Sequence, residues 1–376
     1  MWWYWICDTQ TGDKIQRLPD PVSGPWSCSL DGGDYGSTVF QLGADDFTQA
    51  QWWDFTAPHS RTLIVERNKV IRYAGIINAD PDFDHDTGRL TVAHVDLESF
   101  FSERYPFGIG SYWADEVAHR PGKIELSGRS HRSIICNVIA AGLVGPTSNY
   151  ALPVVLPWLT ESGSQSLTAE NFNFQTCSDL ISDRRKVESG VDFYFKPRWK
   201  SDTAFEWVVV AGSDSDPLLI GKTADFYLNA EQPVLSNVKF GRDGVKQFTG
   251  MFSIGQGSGA DMSVGGIPSG AGLPPVIPAR DTQQKIDNEA NQNVLAGMSL
   301  EAARVRYSPT FQWAFTLQAS TEAAPVESIE LGDILRVYVE SSPYIPVGWH
   351  SLRVVTLTGD EGEWVTPTVQ MIGEVA

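Results

Sequence analysis

The side chains most able to do chemistry in this 376-residue chain are its 46 carboxylates, six histidines and four cysteines. The densest cluster is Asp80-Pro81-Asp82-Phe83-Asp84-His85-Asp86-Thr87-Gly88. Alternating carboxylates at Asp82, Asp84 and Asp86 are the one weak candidate for a metal site, in the manner of a calcium loop. Such a loop needs glycine at its sixth position and glutamate at its twelfth. Counted from Asp82, those positions hold Thr87 and Ala93. The run therefore reads as the solvated turn of a hairpin.

Glycoside hydrolysis needs two carboxylates flanking one bond. Asp45-Asp46, Asp115-Glu116 and Asp360-Glu361-Gly362-Glu363 are the available sets. Neighbours on a strand point to opposite faces, so adjacency alone does not make an acid–base pair. His59, His85, His94, His119, His131 and His350 form neither His-x-His nor His-Glu-x-x-His. A loose Gly-x-Ser-x-Gly match at Gly255–Gly259 has its serine one place late and lacks the strand–turn–helix context of a nucleophile elbow. The glycines from Gly255 to Gly272 are followed by no Gly-Lys-Ser/Thr, which argues against a nucleotide site. Cys7, Cys28, Cys136 and Cys177 lack zinc spacing and read as buried thiols, with a Cys7–Cys28 bridge left open. The sequence thus predicts no catalytic residue and no cofactor: the chain is not an enzyme.

Composition narrows the class further. Net charge is −18, which repels polyanions and argues against a DNA-binding protein. Hydrophobic residues make up 42%, enough for a packed core in two or three domains. The opening Met-Trp-Trp-Tyr-Trp-Ile-Cys-Asp lacks the basic and apolar regions of a signal peptide. The longest apolar run, Ile134 to Gly145, is far short of the roughly 20 residues that span a bilayer. A soluble protein with no membrane segment is expected.

Turn chemistry divides the first 125 residues into short strands, the pattern of a barrel or sandwich. Trp2 to Cys7 reads as a strand, and Arg61 to Arg67 with Val70 to Asn78 as a hairpin around Asn68-Lys69. A short helix suits Leu97 to Arg104. Residues 126–233 read as an α/β middle domain. It holds a helix over Ser130 to Leu143, a second from Thr168 or Asn173 to Lys186, and paired strands Val191 to Phe195 and Phe205 to Val210. Its last strands are allowed to rejoin the first domain. Val234 to Phe240 and Gln247 to Ile254 read as strands around Gly241–Gly244, with residues 234–254 opening a second β domain. Residues 255–280 read as a Gly/Pro-rich loop or linker. Residues 281–376 read as a helix, from Asp281 to Tyr307 with a break near Gly297, and a C-terminal barrel ending in a hairpin around Gly359–Gly362. The fold class is a β-rich α+β protein, with two barrel-like β domains flanking an α/β middle.

The pairs Trp2-Trp3 and Trp52-Trp53 read as strand residues, one ring inward and one outward. An outward indole is an interface anchor or a sugar platform. The interface reading is preferred for all four, because a sugar site also needs polar side chains that the sequence does not place.

Three stretches, in order, resemble the tail hub, or minor tail protein, family of long-tailed bacteriophages, especially the actinobacterial siphophage type. The first is Val70-Ile71-Arg72-Tyr73-Ala74-Gly75-Ile76-Ile77 followed by Gly88-Arg89-Leu90-Thr91-Val92-Ala93-His94-Val95-Asp96-Leu97 through Arg104. The second is the helix around Leu180-Ile181 followed by Ser189-Gly190-Val191-Asp192-Phe193-Tyr194-Phe195. The third is Leu331-Gly332-Asp333-Ile334-Leu335-Arg336-Val337-Tyr338-Val339. The resemblance implies a structural baseplate hub at the virion tail tip, made in the host cytoplasm. It implies a homotrimer whose domains gather into a ring. The implied partners are the distal tail protein, the tape measure protein and tail-tip or fibre proteins, with the genome passing through unbound during DNA ejection. The alternative is a carbohydrate-binding or carbohydrate-cleaving tail-tip β-protein.

Overall fold

The structure, a computed structural model, describes all residues except 44–46, 107–122, 146, 187–189, 232–233, 246, 269–276, 287–288, 307–309, 322–323 and 373–376. It divides into two compact units, Met1–Asn237 with Phe315–Ala376, and Val238–Ala314.

The first unit begins with strands β1 (Trp2–Asp8), β2 (Lys14–Arg17), β3 (Trp26–Ser29) and β4 (Tyr35–Gln41), then helix α1 (Gln49–Phe55). Strands β5 (Arg61–Arg67), β6 (Val70–Ile77), β7 (Asp82–Asp84) and β8 (Arg89–Val95) follow, with a single helical turn, α2 (Leu97–Phe100). All but β3 form an antiparallel sheet of order β2-β1-β5-β6-β8-β4, with β7 also on β8. Alternation sets its faces: Trp2, Tyr4 and Ile6 of β1 are buried, while Trp3 and Trp5 are half-buried on the other side. The β5–β6 hairpin closes through Asn68 and Lys69, whose φ of 47° and 67° suit the twist of a two-residue primed turn.

The middle segment adds β9 (Lys123–Arg129), α3 (His131–Gly142), β10 (Val154–Val155), β11 (Gln165–Glu170), α4 (Cys177–Lys186), β12 (Phe193–Ser201) and β13 (Ala204–Ala211). Ser130 caps α3 by accepting from Ser133 N at 3.1 Å. The α3 stripe Ile134, Ile135, Val138 and Ile139 packs in one continuous core with Leu180, Ile181, Phe193 and Trp207, and with Ile64 and Ile76 of the first sheet. The second helix starts later than its sequence reading. Gln165–Glu170 instead pairs as a strand with β9, and Thr176 and Asp179 cap each other's backbone N–H at the true start of α4.

The C-terminal sheet comprises β14 (Thr223–Tyr227), β15 (Leu235–Asp243) and the last four strands of the chain, and it also takes in β3. The Val238–Ala314 unit contains β16 (Gly250–Ile254), β17 (Val264–Ile267), β18 (Asp281–Lys285) and α5 (Gln292–Arg306). The structure departs from the sequence expectation in this region. Part of the segment read as a linker is strand β17, and the expected helix from Asp281 is strand β18 followed by one helix that passes Gly297 unbroken. Gly265 explains the first: a Cβ there would lie 2.4 Å from Ala296 N, so the glycine lets α5 approach and is not a sign of flexibility. The strands read as a hairpin around Gly241–Gly244 also part company, β15 joining the C-terminal sheet and β16 pairing with β17 and β18. Residues 269–276 of the same segment lie outside the described residues.

The chain closes with β19 (Thr310–Gln318), β20 (Ile334–Val339), β21 (Gly348–Gly359) and β22 (Trp364–Met371), in the sheet order β14-β20-β21-β22-β19-β15. The first half of β21 pairs with β20, and its last residues pair with β3, Thr356 opposite Ser29 and Gly359 opposite Trp26. The Trp26 indole lies over Gly359, where a Cβ would meet it at 2.5 Å. The expected barrels are therefore open sheets: the protein is β-rich, and none of its described sheets closes.

Buried guanidiniums tie these parts together. Arg67, 3% exposed, holds Glu327 and Glu363, each at 3.0 Å. Arg353, 2% exposed, pairs with Asp192 and donates to Leu219 O at 2.9 Å. Arg336–Asp225 is an exposed pair. Arg353→Ala leaves Asp192 without its counter-ion and is expected to cost about 3–5 kcal/mol. Arg336→Ala is expected to leave the melting midpoint unchanged. Chemical denaturation of both variants checks the contrast; equal losses would show that burial does not decide it.

Candidate functional site: an aromatic groove and an interior acidic cluster

The structure sorts the four singled-out tryptophans. Trp2 is 4% exposed, stacks near Trp26 with centroids 5.6 Å apart, and donates to Gly362 O at 2.6 Å. Trp52 and Trp53 sit on helix α1, not on a strand. The reason was readable: Thr48 and Gln51 form a reciprocal capping box. A helix still turns successive residues apart, so Trp52 is buried among Phe40, Phe47 and Phe55 while Trp53 is 75% exposed. Trp2 and Trp52 are thus core residues, and Trp3 and Trp53 are the ones that meet solvent.

Trp3 lines a surface groove of about 650 Å³ with Trp5 and Trp199. Strand β1 presents Trp3 and Trp5 on one face, their centroids 6.1 Å apart. Trp199, near the end of β12, meets Trp5 edge-on at 6.5 Å. The Lys14 ammonium, from β2, sits 4.2 Å from the Trp5 ring and 3.8 Å from that of Trp199. Glu66 faces Trp3 across the β1–β5 ladder and is only 3% exposed; it accepts from Trp199 Nε1 at 3.1 Å. Neither Trp199 nor Glu66 was singled out from sequence. The one sequence signal for Glu66 is a carboxylate directly after the apolar run Leu63-Ile64-Val65 of its strand, and Trp199 has none.

A second aromatic surface lies on the C-terminal sheet. Tyr227, Tyr338 and Trp349 cluster with centroids 5.1–5.9 Å apart, and Tyr227 and Trp349 are exposed.

The carboxylates weighed for metal or catalysis have other work. Asp84 accepts from Asp86 N, Thr87 N and Thr87 Oγ1, and these bonds hold its carboxyl below the usual range. No group of three or more metal-binding side chains comes together among the described residues. Glu361 accepts from Gly24 N at 2.7 Å, Glu363 pairs with Arg67, and Asp360 caps Gly362 N. Asp45-Asp46, Asp115-Glu116 and His119 lie outside the described residues. The cysteines are free, which corrects the Cys7–Cys28 alternative. Burial pushes Cys7, Cys28 and Cys177 up to about 12 and Cys136 to about 11, so none is a thiolate near neutrality.

A partly open cavity of about 40 Å³ is bordered by Asp34, Asp96, Glu98, Arg72 and Tyr73, room for waters and not for a substrate. Arg185 holds Glu98, with Nη2 2.8 Å from Oε2. Burial raises Asp34 to about 6, opposed by a hydrogen bond from Ser27 and reinforced by nearby Asp96. His94 lies beside this cluster, 1% exposed, bonded to Thr38 Oγ1 at 3.1 Å and Tyr73 at 2.9 Å. Burial lowers it from 6.5 to about 4.

The architecture is one found in phage tail proteins. The chain is similar over 98% of its length to the tail protein from Neisseria meningitidis MC58, covering 96% of it at 12% identity and a TM-score of 0.53. It is similar over 98% to the 43 kDa tail protein of prophage MuSo2 from Shewanella oneidensis, covering 98% of it at 8% identity and a TM-score of 0.54. No family model matches the chain, and no curated protein matches its sequence.

The two shifted groups pull stability in opposite directions with pH. His94 is kept neutral in the fold, so the unfolded chain binds the extra proton between about 4 and 6.5, and its contribution is lost as pH falls through that window. That loss is worth about 3 kcal/mol at most. Asp34 holds its proton better when folded, so its contribution is lost as pH rises from 3.8 to about 6; partial exposure makes it the smaller effect. Asp34→Asn is therefore expected to steepen the rise in stability between pH 4 and 6. Urea melts across that range check it, and an unchanged slope would sink the assignment.

Proposed function

We propose that this chain is a structural component of a bacteriophage tail and serves as its hub. The carrying observation is the end-to-end likeness to two tail proteins, 96–98% of each neighbour being matched. At 8–12% identity that likeness speaks to fold, and the role follows as a reading. In this reading three copies form a ring at the tail tip of a siphophage, joining distal tail protein, tape measure protein and tip or fibre proteins. The charge of −18 suits a channel wall that does not hold DNA during ejection.

Assembly contacts are assigned to exposed aromatics. Trp53 is one, and the Tyr227–Tyr338–Trp349 cluster beside the edge strand β14 is the other. Large aromatics carry most of the energy at such surfaces.

The test is copy number. Purified virions should contain the chain at three copies per tail, and cryo-EM should place it at the tip. Trp53→Ala and Trp349→Ala are each expected to weaken trimer formation about tenfold or more by mass photometry. A monomer in the assembled tail, or a lumen lined by lysine and arginine, would overturn the hub reading.

A further inference from the structure

The groove at Trp3, Trp5 and Trp199 has the makings of a ligand site independent of assembly. Its volume, about 650 Å³, lies within the range of small-molecule pockets. Its indoles are half-buried, and Arg17 covers one face of Trp3 with its guanidinium 4.8 Å from the ring. Lys14, held against Trp5 and Trp199, fixes those two rings in place.

Glu66 is the telling residue. It is 3% exposed, yet its carboxylate takes a single hydrogen bond among the described residues, from Trp199 Nε1, and has no ion pair there. A carboxylate offers about four acceptor positions, and neither Glu66 oxygen is both buried and unpartnered, so the capacity left over reaches solvent. Glu66 lines the groove and keeps acceptor capacity for a ligand hydroxyl beyond its bond from Trp199. Lys69, Ser201 and Asp202 supply further donors and acceptors from exposed positions at the edge. Lys14, Lys69 and Arg17 stand against Glu66 and Asp202, so charges of both signs are mixed around the groove and no strong field of either sign selects an ion.

We propose that this groove binds a neutral saccharide of one or two pyranose rings. Trp3 stacks on the C–H face of a ring, as an amphipathic aromatic does with a partly apolar partner. Glu66 accepts from its hydroxyls. The polar set that the sequence could not place is supplied by β2, β5 and the β12–β13 turn.

The experiment titrates the full chain with glucose, galactose, N-acetylglucosamine and their disaccharides at millimolar concentration, read by tryptophan fluorescence and saturation-transfer NMR. At least one sugar is expected to bind. Trp3→Ala should weaken it about tenfold or more, and Glu66→Gln, nearly isosteric, roughly fivefold. Trp53→Ala should leave it unchanged. Circular dichroism of Glu66→Gln verifies that the fold persists. Absence of binding to every sugar, or binding unaffected by both groove variants, overturns the proposal. So does preference for a sulfated oligosaccharide that fades with salt, or self-association abolished by Trp3→Ala, which would make the groove a contact between copies.

Discussion

An arginine cannot shed its charge on burial, so a fold that encloses one must deliver a counter-ion to it. Among its described residues this fold encloses three: Arg67, Arg72 and Arg353 are 3%, 6% and 2% exposed. Each takes its partner from a distant stretch of chain. Arg67 reaches Glu327 and Glu363, Arg72 donates to Ile329 O at 2.6 Å, and Arg353 reaches Asp192. Lys196 and Tyr194 converge with Arg72 on Glu330. The beginning, middle and end of the sequence are thereby held in one register. Such pairs add little net stability over an apolar core, but any arrangement that separates them strands a buried charge.

That register decides what faces solvent. Trp2 is locked inward by Trp26 and by its bond to Gly362. Because a strand alternates, fixing Trp2, Tyr4 and Ile6 inside forces Trp3 and Trp5 outside. The groove is thus a by-product of core packing, completed by Trp199 from a different hairpin. A one-residue slip of β1 would bury the wrong indoles and erase it.

Local chemistry was legible where one stretch of chain suffices to specify it. Asn68-Lys69 announced the β5–β6 hairpin, the Ile134–Ile139 stripe announced α3, and Gly359–Gly362 marked the last turn. Elements that depend on a partner were not. Gln165–Glu170 has helix-forming residues and became a strand because β9 lies beside it. Gly265 looked like a linker residue and is a contact point under α5. Of the candidate site, Trp3 was visible, but Glu66 and Trp199 are 133 residues apart and meet only in the fold. The overall likeness to tail hubs rests on the order of three motifs, and the fold is one that two tail proteins share end to end.

The pairing of β3 with β21 also sets a clock. Cys28 and Leu357 touch across 329 residues. At roughly 5–20 residues per second, a ribosome needs on the order of twenty to sixty seconds to make the intervening chain. For that time Trp26 has no Gly359 to lie on, and the edge that β3 will fill does not exist. The first sheet can condense early through its local hairpins, but its neighbour must wait until Gly359 has been made. Contacts this distant are slow to close and expose apolar strand edges meanwhile. Until then the strand partners of β3 are missing and its apolar edge stays open to competing contacts.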